Sequence, residues 1–141
     1  MQQITEHLYI GDMQDTLSVS NDNSFDVLVY LGQEIPPKLC FNCTPTCLHI
    51  PIVDGENGLS KIRKVIFITY LALLNNDKIL IACRAGISRS VCVTTSAYAL
   101  INKMSFDEAY KYIKHVRPQS QPELHLLHDV RKITEELKSI V

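Results

Sequence analysis

Apolar and polar residues alternate along the chain in segments that predict strands and helices in turn. Short, almost wholly apolar runs occupy residues 25–32 and 78–83, as is typical of buried strands in a parallel sheet. Between them, residues 60–76 carry apolar side chains at helical spacing and predict an amphipathic helix capped by Ser60. This alternation predicts an α/β fold whose central sheet is mainly parallel and is flanked by helices on both faces.

The remaining segments extend this pattern, with two further strands and a helical second half. Ser105 and Glu108 have the spacing of a capping box, and the helix that they begin should end before Pro118. The additional predicted elements are strands at 6–12 and 47–55 and helices within the segments 13–19, 88–103, 105–118 and 121–140.

Composition narrows the class of protein. The chain has 141 residues and no internal repeat, so we expect one domain, residues 1–141, that functions as a monomer. Its formal net charge of −1 gives no basic field for nucleic acid. We expect no membrane partner and a cytoplasmic location, since neither a membrane-length apolar run nor a signal peptide is visible. Five cysteines, an odd number, favour reduced thiols.

The sequence CRAGISRS, residues 83–90, carries the strongest chemical signal. Cys83 ends a predicted central strand, and ligands of parallel α/β sheets bind at the carboxyl ends of strands. The following loop can point its N–H groups at one centre, because Gly86 permits unusual backbone angles and a helix begins next. Arg89 adds a planar fork for two phosphate oxygens. The predicted phosphate-binding residues are Arg84, Ala85, Gly86, Ile87, Ser88 and Arg89.

The same surroundings act on the thiol of Cys83. A free cysteine has a pKa near ~8.5, and a helix N-terminus with a nearby cation lowers it to between ~3.5 and ~7.5. The loop therefore binds an anion and also generates a thiolate. This combination points to attack of the Cys83 sulfur on a phosphorus atom that the loop holds.

The loop resembles the catalytic loop of the cysteine-dependent protein tyrosine phosphatase superfamily, C-x-x-x-x-x-R followed by a hydroxyl residue. Its form C-x-A-G-x-S-R-S resembles the dual-specificity branch. The flanking segments ITEHLYIGD, LHIPIVDGENG and FDEAYKYIKHVRP are also similar to that branch. The resemblance implies a protein tyrosine phosphatase-like catalytic core that hydrolyses phosphotyrosine, phosphoserine and phosphothreonine in proteins. It implies a cysteinyl-phosphate intermediate and no metal or organic cofactor.

The resemblance also assigns roles to catalytic residues. Cys83 is the nucleophile and Arg89 holds the phosphoryl oxygens. Asp54, at the predicted end of a neighbouring strand, is the general acid for the leaving group, with Glu56 and Asp77 as less well placed substitutes. Ser90 matches the Ser or Thr that follows the loop arginine in the family, and its hydroxyl would hydrogen-bond the sulfur and help it leave phosphorus. Gln121, at the start of the last predicted helix, is a candidate for positioning water.

One position departs from the family pattern. A histidine usually precedes the nucleophile and braces the loop, whereas this chain has Ala82. The thiol keeps the loop N–H groups, the helix N-terminus and Arg89. We therefore expect its pKa to lie below that of free cysteine, and about one unit at most above that of relatives with histidine.

Several alternatives stay open at the level of sequence. A phosphatase of the same fold could act on a phosphoinositide or an RNA 5′ end, and a pseudophosphatase would bind phosphate without turnover. A sulfur-transfer or arsenate-reducing protein would use a cysteine loop without Asp54.

The cluster Cys40, Cys43, Cys47 and His49 could hold zinc, but it lacks the second C-x-x-C pair of a typical zinc module. We interpret these cysteines as ordinary thiols and expect no metal site.

Overall fold

The computed structural model describes residues 1–34, 45–52 and 58–141. These residues form one five-stranded sheet and five helices. The strands are β1 Gln2–Gln3, β2 Leu8–Gly11, β3 Val27–Tyr30, β4 Thr46–His49 and β5 Ile79–Ala82. The helices are α1 Met13–Val19, α2 Leu59–Leu74, α3 Arg89–Asn102, α4 Phe106–Val116 and α5 Leu124–Lys138.

Strand β5 lies at the centre of the sheet. The strand order is β1-β2-β5-β3-β4, with β1 antiparallel to β2 and every other pair parallel. All four residues of β5 are buried, which explains why this run contains almost no polar side chains. The residue that follows β5 therefore emerges in the middle of the carboxyl edge of the sheet.

Apolar clusters cover both faces of the sheet, which confirms the predicted α/β architecture. The larger cluster joins the sheet to α2, α3, α4 and α5, with Ile66 and Val91 among its fully buried members. A smaller cluster on the other face contains Val19 of α1 together with Leu80 and Tyr30. The sheet is thus shielded from water on both sides, as parallel sheets require.

Most predicted elements are confirmed, and their ends differ in informative ways. Helix α4 begins after Ser105, whose side chain accepts from the Glu108 N–H, and it ends before Pro118 as expected. The prediction of a Ser60 cap was wrong. Helix α2 begins at Leu59, after Gly58, so Ser60 lies inside the first turn.

Two differences concern the strands. Strand β4 ends at His49, level with the end of β3 at Tyr30, although the N–H groups of Ile50 and Ile52 still donate to the carbonyl groups of Tyr30 and Leu31. The predicted strand had extended to residue 55, and residues 53–57 lie outside the described part of the chain. Strand β1 was not expected, since two residues are too few to show a periodic pattern. Within the described ranges, no helix is both long and apolar enough to cross a membrane.

The central strand provides a test of the fold. Leu80 is fully buried in β5, whereas Leu71 on α2 is 47% exposed. Leu80→Ala should lower the free energy of unfolding by about 2–5 kcal/mol, because the cavity cannot collapse beneath a central strand. Leu71→Ala deletes the same atoms at the surface and should cost far less. Urea unfolding of both variants measures the difference, and equal losses would contradict this account of the core.

Candidate active site

The candidate site lies where β5 leads into α3. Cys83 follows Ala82 directly and is 2% exposed, and α3 begins only six residues later, at Arg89. The neighbouring strands end at the same level, because Ala82 is in register with Gly11 of β2 and Tyr30 of β3. The loop thus joins a central strand to a helix N-terminus, a geometry that favours anions.

Hydrogen bonds converge on the sulfur of Cys83. The Ser90 hydroxyl oxygen lies 3.2 Å from the sulfur atom. Burial is the largest single influence and raises the pKa of this thiol. Hydrogen bonds act in the opposite direction, first from the Ser90 side chain and then from the backbone N–H groups of Ser90, Gly86 and Ser88. Together they prevail and place the pKa of Cys83 below its ordinary value.

Carbonyl groups of the first half of the loop are bound by other elements. The Arg84 carbonyl accepts from the backbone N–H of Met13, the first residue of α1, at 3.2 Å. The Gly86 carbonyl accepts from Nε of Arg117 at 2.8 Å. Arg117 is only 5% exposed although it carries a full charge. These donors orient the carbonyl groups away from the sulfur.

The second half of the loop is held by the segment before α5. The Ile87 carbonyl accepts from the backbone N–H of Gln121 at 2.8 Å, and the Ser88 hydroxyl accepts from that of Glu123 at 2.9 Å. The Ser88 carbonyl accepts from the N–H of Cys92 in the first turn of α3, also at 2.9 Å. The loop is therefore fixed along its whole length.

Gly86 occupies a position that no other residue fits well. Its φ is +69°, in the left-handed region that a glycine was expected to permit here. A Cβ built there would lie 2.7 Å from the carbonyl oxygen of Gly11 and 2.7 Å from Nη2 of Arg117. Both the backbone angle and the available space explain the glycine.

Arg89 lies beside a small pocket at this edge of the sheet. Its Nη1 donates to the carbonyl oxygens of Leu31 at 3.4 Å and Ile52 at 3.3 Å, which orients the guanidinium. The pocket has a volume of about 370 Å³. Its lining residues are Gln33, Glu34, Ile52, Arg84, Ser88 and Arg89.

The structure brings Cys83, Ser90, Arg89 and the loop residues 84–88 together. Asp54 and Glu56 lie outside the described residues, as do Cys40 and Cys43. Asp77 precedes β5, at the opposite end of the strand from Cys83, so it is not a substitute for the general acid.

The described part of the cysteine–histidine cluster is occupied by other contacts. Nε2 of His49 donates to the Gly32 carbonyl at 2.6 Å, and the Cys47 thiol donates to the Pro45 carbonyl at 3.5 Å. No group of three or more potential metal ligands occurs among the residues that the structure describes. Cys92 is fully buried in α3, and burial raises its pKa far above the ordinary value, as expected for an inert thiol.

Sequence reasoning missed three residues near the loop: Arg117, Tyr30 and Glu34. Arg117 looked like the polar end of a helix before a proline. Tyr30 looked like an ordinary residue of a buried strand. Glu34 lies outside every strand and helix that the sequence predicts. No local spacing relates any of them to Cys83.

The hydroxyl of Ser90 provides a test of the thiol's acidity. Ser90→Ala removes the strongest hydrogen bond that favours the thiolate, so the pKa of Cys83 should rise. The midpoint of its iodoacetamide reactivity against pH should then shift upward by about one unit. Thr94→Val, one turn along α3, removes a buried hydroxyl that has no partner among the described residues, and should leave the midpoint unchanged. An unmoved midpoint in Ser90→Ala would contradict the assignment.

Comparisons with known proteins agree with this geometry. Dual specificity protein phosphatase 8 of Mus musculus is 30% identical over 139 residues, which are 96% of this chain and 21% of that protein. Tyrosine-protein phosphatase vhp-1 of Caenorhabditis elegans is 29% identical over 130 residues, 88% of this chain and 20% of that protein. The chain thus spans about a fifth of the length of these curated relatives.

A solved structure and a family model extend the comparison. The crystal structure of human DUSP28 superimposes with a TM-score of 0.79, covers 100% of both chains at 19% identity, and shows the same fold. The family model described as "Dual specificity phosphatase, catalytic domain" matches residues 8–136, which include every described element from β2 to the last turn of α5. The chain therefore belongs to the family of dual specificity phosphatase catalytic domains.

Proposed function

We propose that this protein is a cysteine-dependent protein phosphatase that hydrolyses phosphotyrosine, phosphoserine and phosphothreonine. The observation that carries the proposal is the set of hydrogen bonds on the Cys83 sulfur, which lower the pKa of a buried thiol at an anion-binding loop. Family membership and phosphatase relatives support the same reaction.

In the first step the Cys83 thiolate attacks phosphorus. The S–P bond forms as the bond from phosphorus to the leaving oxygen breaks, and that oxygen takes a proton from Asp54. Arg89 and the backbone N–H groups of residues 84–89 bind the three phosphoryl oxygens, where negative charge is spread in the transition state.

In the second step water attacks the cysteinyl phosphate. Asp54, now a carboxylate, accepts a proton from the water, and the S–P bond breaks to release inorganic phosphate. The Ser90 hydroxyl donates to the departing sulfur, which stabilises the thiolate that leaves. The Ile87 carbonyl accepts a hydrogen bond from the backbone N–H of Gln121 and so holds Gln121 beside the loop. The Gln121 side chain is therefore a candidate for orienting the water.

The reaction needs no metal or organic cofactor, and we expect a monomer in the cytoplasm as the acting species. Phosphorylated proteins are the proposed substrates, in keeping with the protein phosphatases among its relatives. The pocket near Arg89 has a volume of about 370 Å³, which has room for a phosphorylated side chain. A non-protein phosphate ester is the second candidate, and a substrate panel decides between the two.

Replacement of the nucleophile tests the covalent mechanism. Cys83→Ser should retain affinity for phosphate and lose turnover by on the order of 10³-fold or more, because the hydroxyl is not ionised at neutral pH. Rapid acid quench of the unaltered protein with a radiolabelled phosphoester should label Cys83. Full turnover in Cys83→Ser would refute the mechanism. A chain that binds phosphopeptide but never releases phosphate would instead be a pseudophosphatase.

A leaving-group series tests Asp54. Asp54→Asn should lower kcat on the order of 10²-fold for an alkyl phosphate, whose alkoxide needs a proton to leave. The loss should be several times smaller for nitrophenyl phosphate, because nitrophenoxide leaves readily without one. Asp77→Asn is the matched control, since Asp77 lies at the other end of β5, and it should show no such dependence. Equal losses across all leaving groups would indicate a structural role for Asp54.

A further inference from the structure

A carboxylate lines the pocket in which a dianion is proposed to bind. Glu34 stands at this pocket together with Arg84 and Arg89. Phosphate binding gains nothing from a negative charge at this point, and a mobile side chain would turn away from it. The structure instead holds Glu34 in place.

A buried hydroxyl fixes the Glu34 side chain. Tyr30 is fully buried at the end of β3, and its hydroxyl donates to Oε1 of Glu34 at 3.0 Å. Burial, followed by the interaction with Glu34, raises the pKa of Tyr30 to about 12. The phenol therefore remains protonated and acts as a donor at neutral pH.

The backbone before Glu34 is fixed as well. The Leu31 N–H donates to the Ala82 carbonyl at 2.8 Å, and the Gly32 carbonyl accepts from His49 at 2.6 Å. A Cβ at Gly32 would lie 2.2 Å from the Tyr30 hydroxyl oxygen, so the glycine leaves the space through which that hydroxyl reaches Glu34. The turn 31–34 is thus attached to two neighbouring strands.

Glu34 carries a negative charge that no cationic side chain among the described residues pairs with. A hydrogen bond from its own backbone N–H, then the Tyr30 hydroxyl, lower the pKa of Glu34, and the nearby Arg84 and Arg89 act in the same direction. The carboxylate is therefore ionised at neutral pH. None of the ion pairs between described residues includes Glu34.

These contacts fix a negative charge at the rim of the pocket, beside the positive charges of Arg84 and Arg89. Resting on the proposed function, we propose that Glu34 is a specificity-determining residue and Tyr30 is the positioning residue that fixes it. Glu34 favours a phosphorylated peptide with a cationic side chain next to the phosphate and disfavours a second anion there. The positive charge of Arg84, beside the same pocket, has the opposite effect and favours an anionic side chain next to the phosphate.

Two phosphotyrosine peptides test this proposal, identical except that lysine or glutamate flanks the phosphotyrosine on both sides. The quantity measured is the ratio of kcat/KM for the lysine peptide to that for the glutamate peptide. Nitrophenyl phosphate, which has no flanking residues, monitors the chemistry itself. Assays at about 0.01 M and about 1 M salt separate electrostatic selection from shape, since the Debye length falls from ~30 Å to ~3 Å.

Neutralising Glu34 should change the selectivity. Glu34→Gln keeps an acceptor for the Tyr30 hydroxyl and should lower the ratio about fivefold at low salt, because each lysine-to-glutamate exchange changes the local charge by two units. The change should largely vanish at high salt. Arg84→Gln should raise the ratio. An unchanged ratio in Glu34→Gln, or a fall of equal size at both salt concentrations, would overturn the proposal.

Removing the hydroxyl tests the positioning role. Tyr30→Phe leaves the ring in place and frees the carboxylate, so the ratio should fall about twofold at low salt. Tyr112→Phe is the matched control, because it deletes a hydroxyl that donates to the Ile4 carbonyl, outside the pocket, and should leave the ratio unchanged. An unchanged ratio in Tyr30→Phe would remove Tyr30 from the proposal.

The two proposals fail in different ways. No phosphate release from any substrate by the unaltered protein would overturn the proposed function. In that case the role of Glu34 is tested by binding alone. The ratio of the affinity for the lysine peptide to the affinity for the glutamate peptide is measured in the Cys83→Ser protein, with and without Glu34→Gln. A fall in that affinity ratio upholds the role of Glu34, and a constant ratio refutes it.

Discussion

The N–H groups of Gly86, Ser88 and Ser90 point at the Cys83 sulfur, and the site depends on this arrangement because the same groups would hold a phosphate oxygen. When an N–H group of the loop points at the sulfur, the carbonyl group of the same peptide bond points away from it. A carbonyl group that is buried there needs a hydrogen-bond donor. The donors come from distant parts of the chain, including α1 and Arg117 at the end of α4. The helices that follow α3 are thus part of the site although none of their described side chains lines the pocket beside Arg89. Burying the Arg117 guanidinium without an ion pair among the described residues costs free energy of folding. Its hydrogen bond to the Gly86 carbonyl, which holds the loop in place, is what the buried charge provides.

Local sequence was enough to predict the sheet and the position of the loop. The apolar run before Cys83 predicted a buried strand, and the helical spacing after it predicted a strand–loop–helix junction. Where the prediction failed, the local pattern did not determine where an element ends. Strand β4 ends at His49, level with the end of β3, and α2 begins at Leu59, one residue before Ser60, so that Ser60 is not its cap.

The same distinction applies to the site. The nucleophile, the loop and the arginine lie within seven residues, so their spacing alone carries the chemistry. Arg117 is 31 residues from the carbonyl that it binds, and Tyr30 belongs to a different strand. Such residues reach the site only because the fold brings distant parts of the chain together, and a single sequence contains no periodic signal for them. Asp54 remains a prediction from the resemblance.

Ala82, the residue before the nucleophile, bears both on the acidity of Cys83 and on the position of Tyr30. Ala82 has no polar group with which to brace the loop, yet the pKa of Cys83 is still lowered, because the hydrogen bonds to its sulfur come from the loop and from Ser90. Tyr30 is in register with Ala82 and shares its apolar cluster, so the small side chain leaves room beside it for a buried phenol. That phenol reaches Glu34. A small residue at this point of the central strand is therefore compatible with an acidic thiol, and it also allows a tyrosine to determine the charge at the mouth of the pocket.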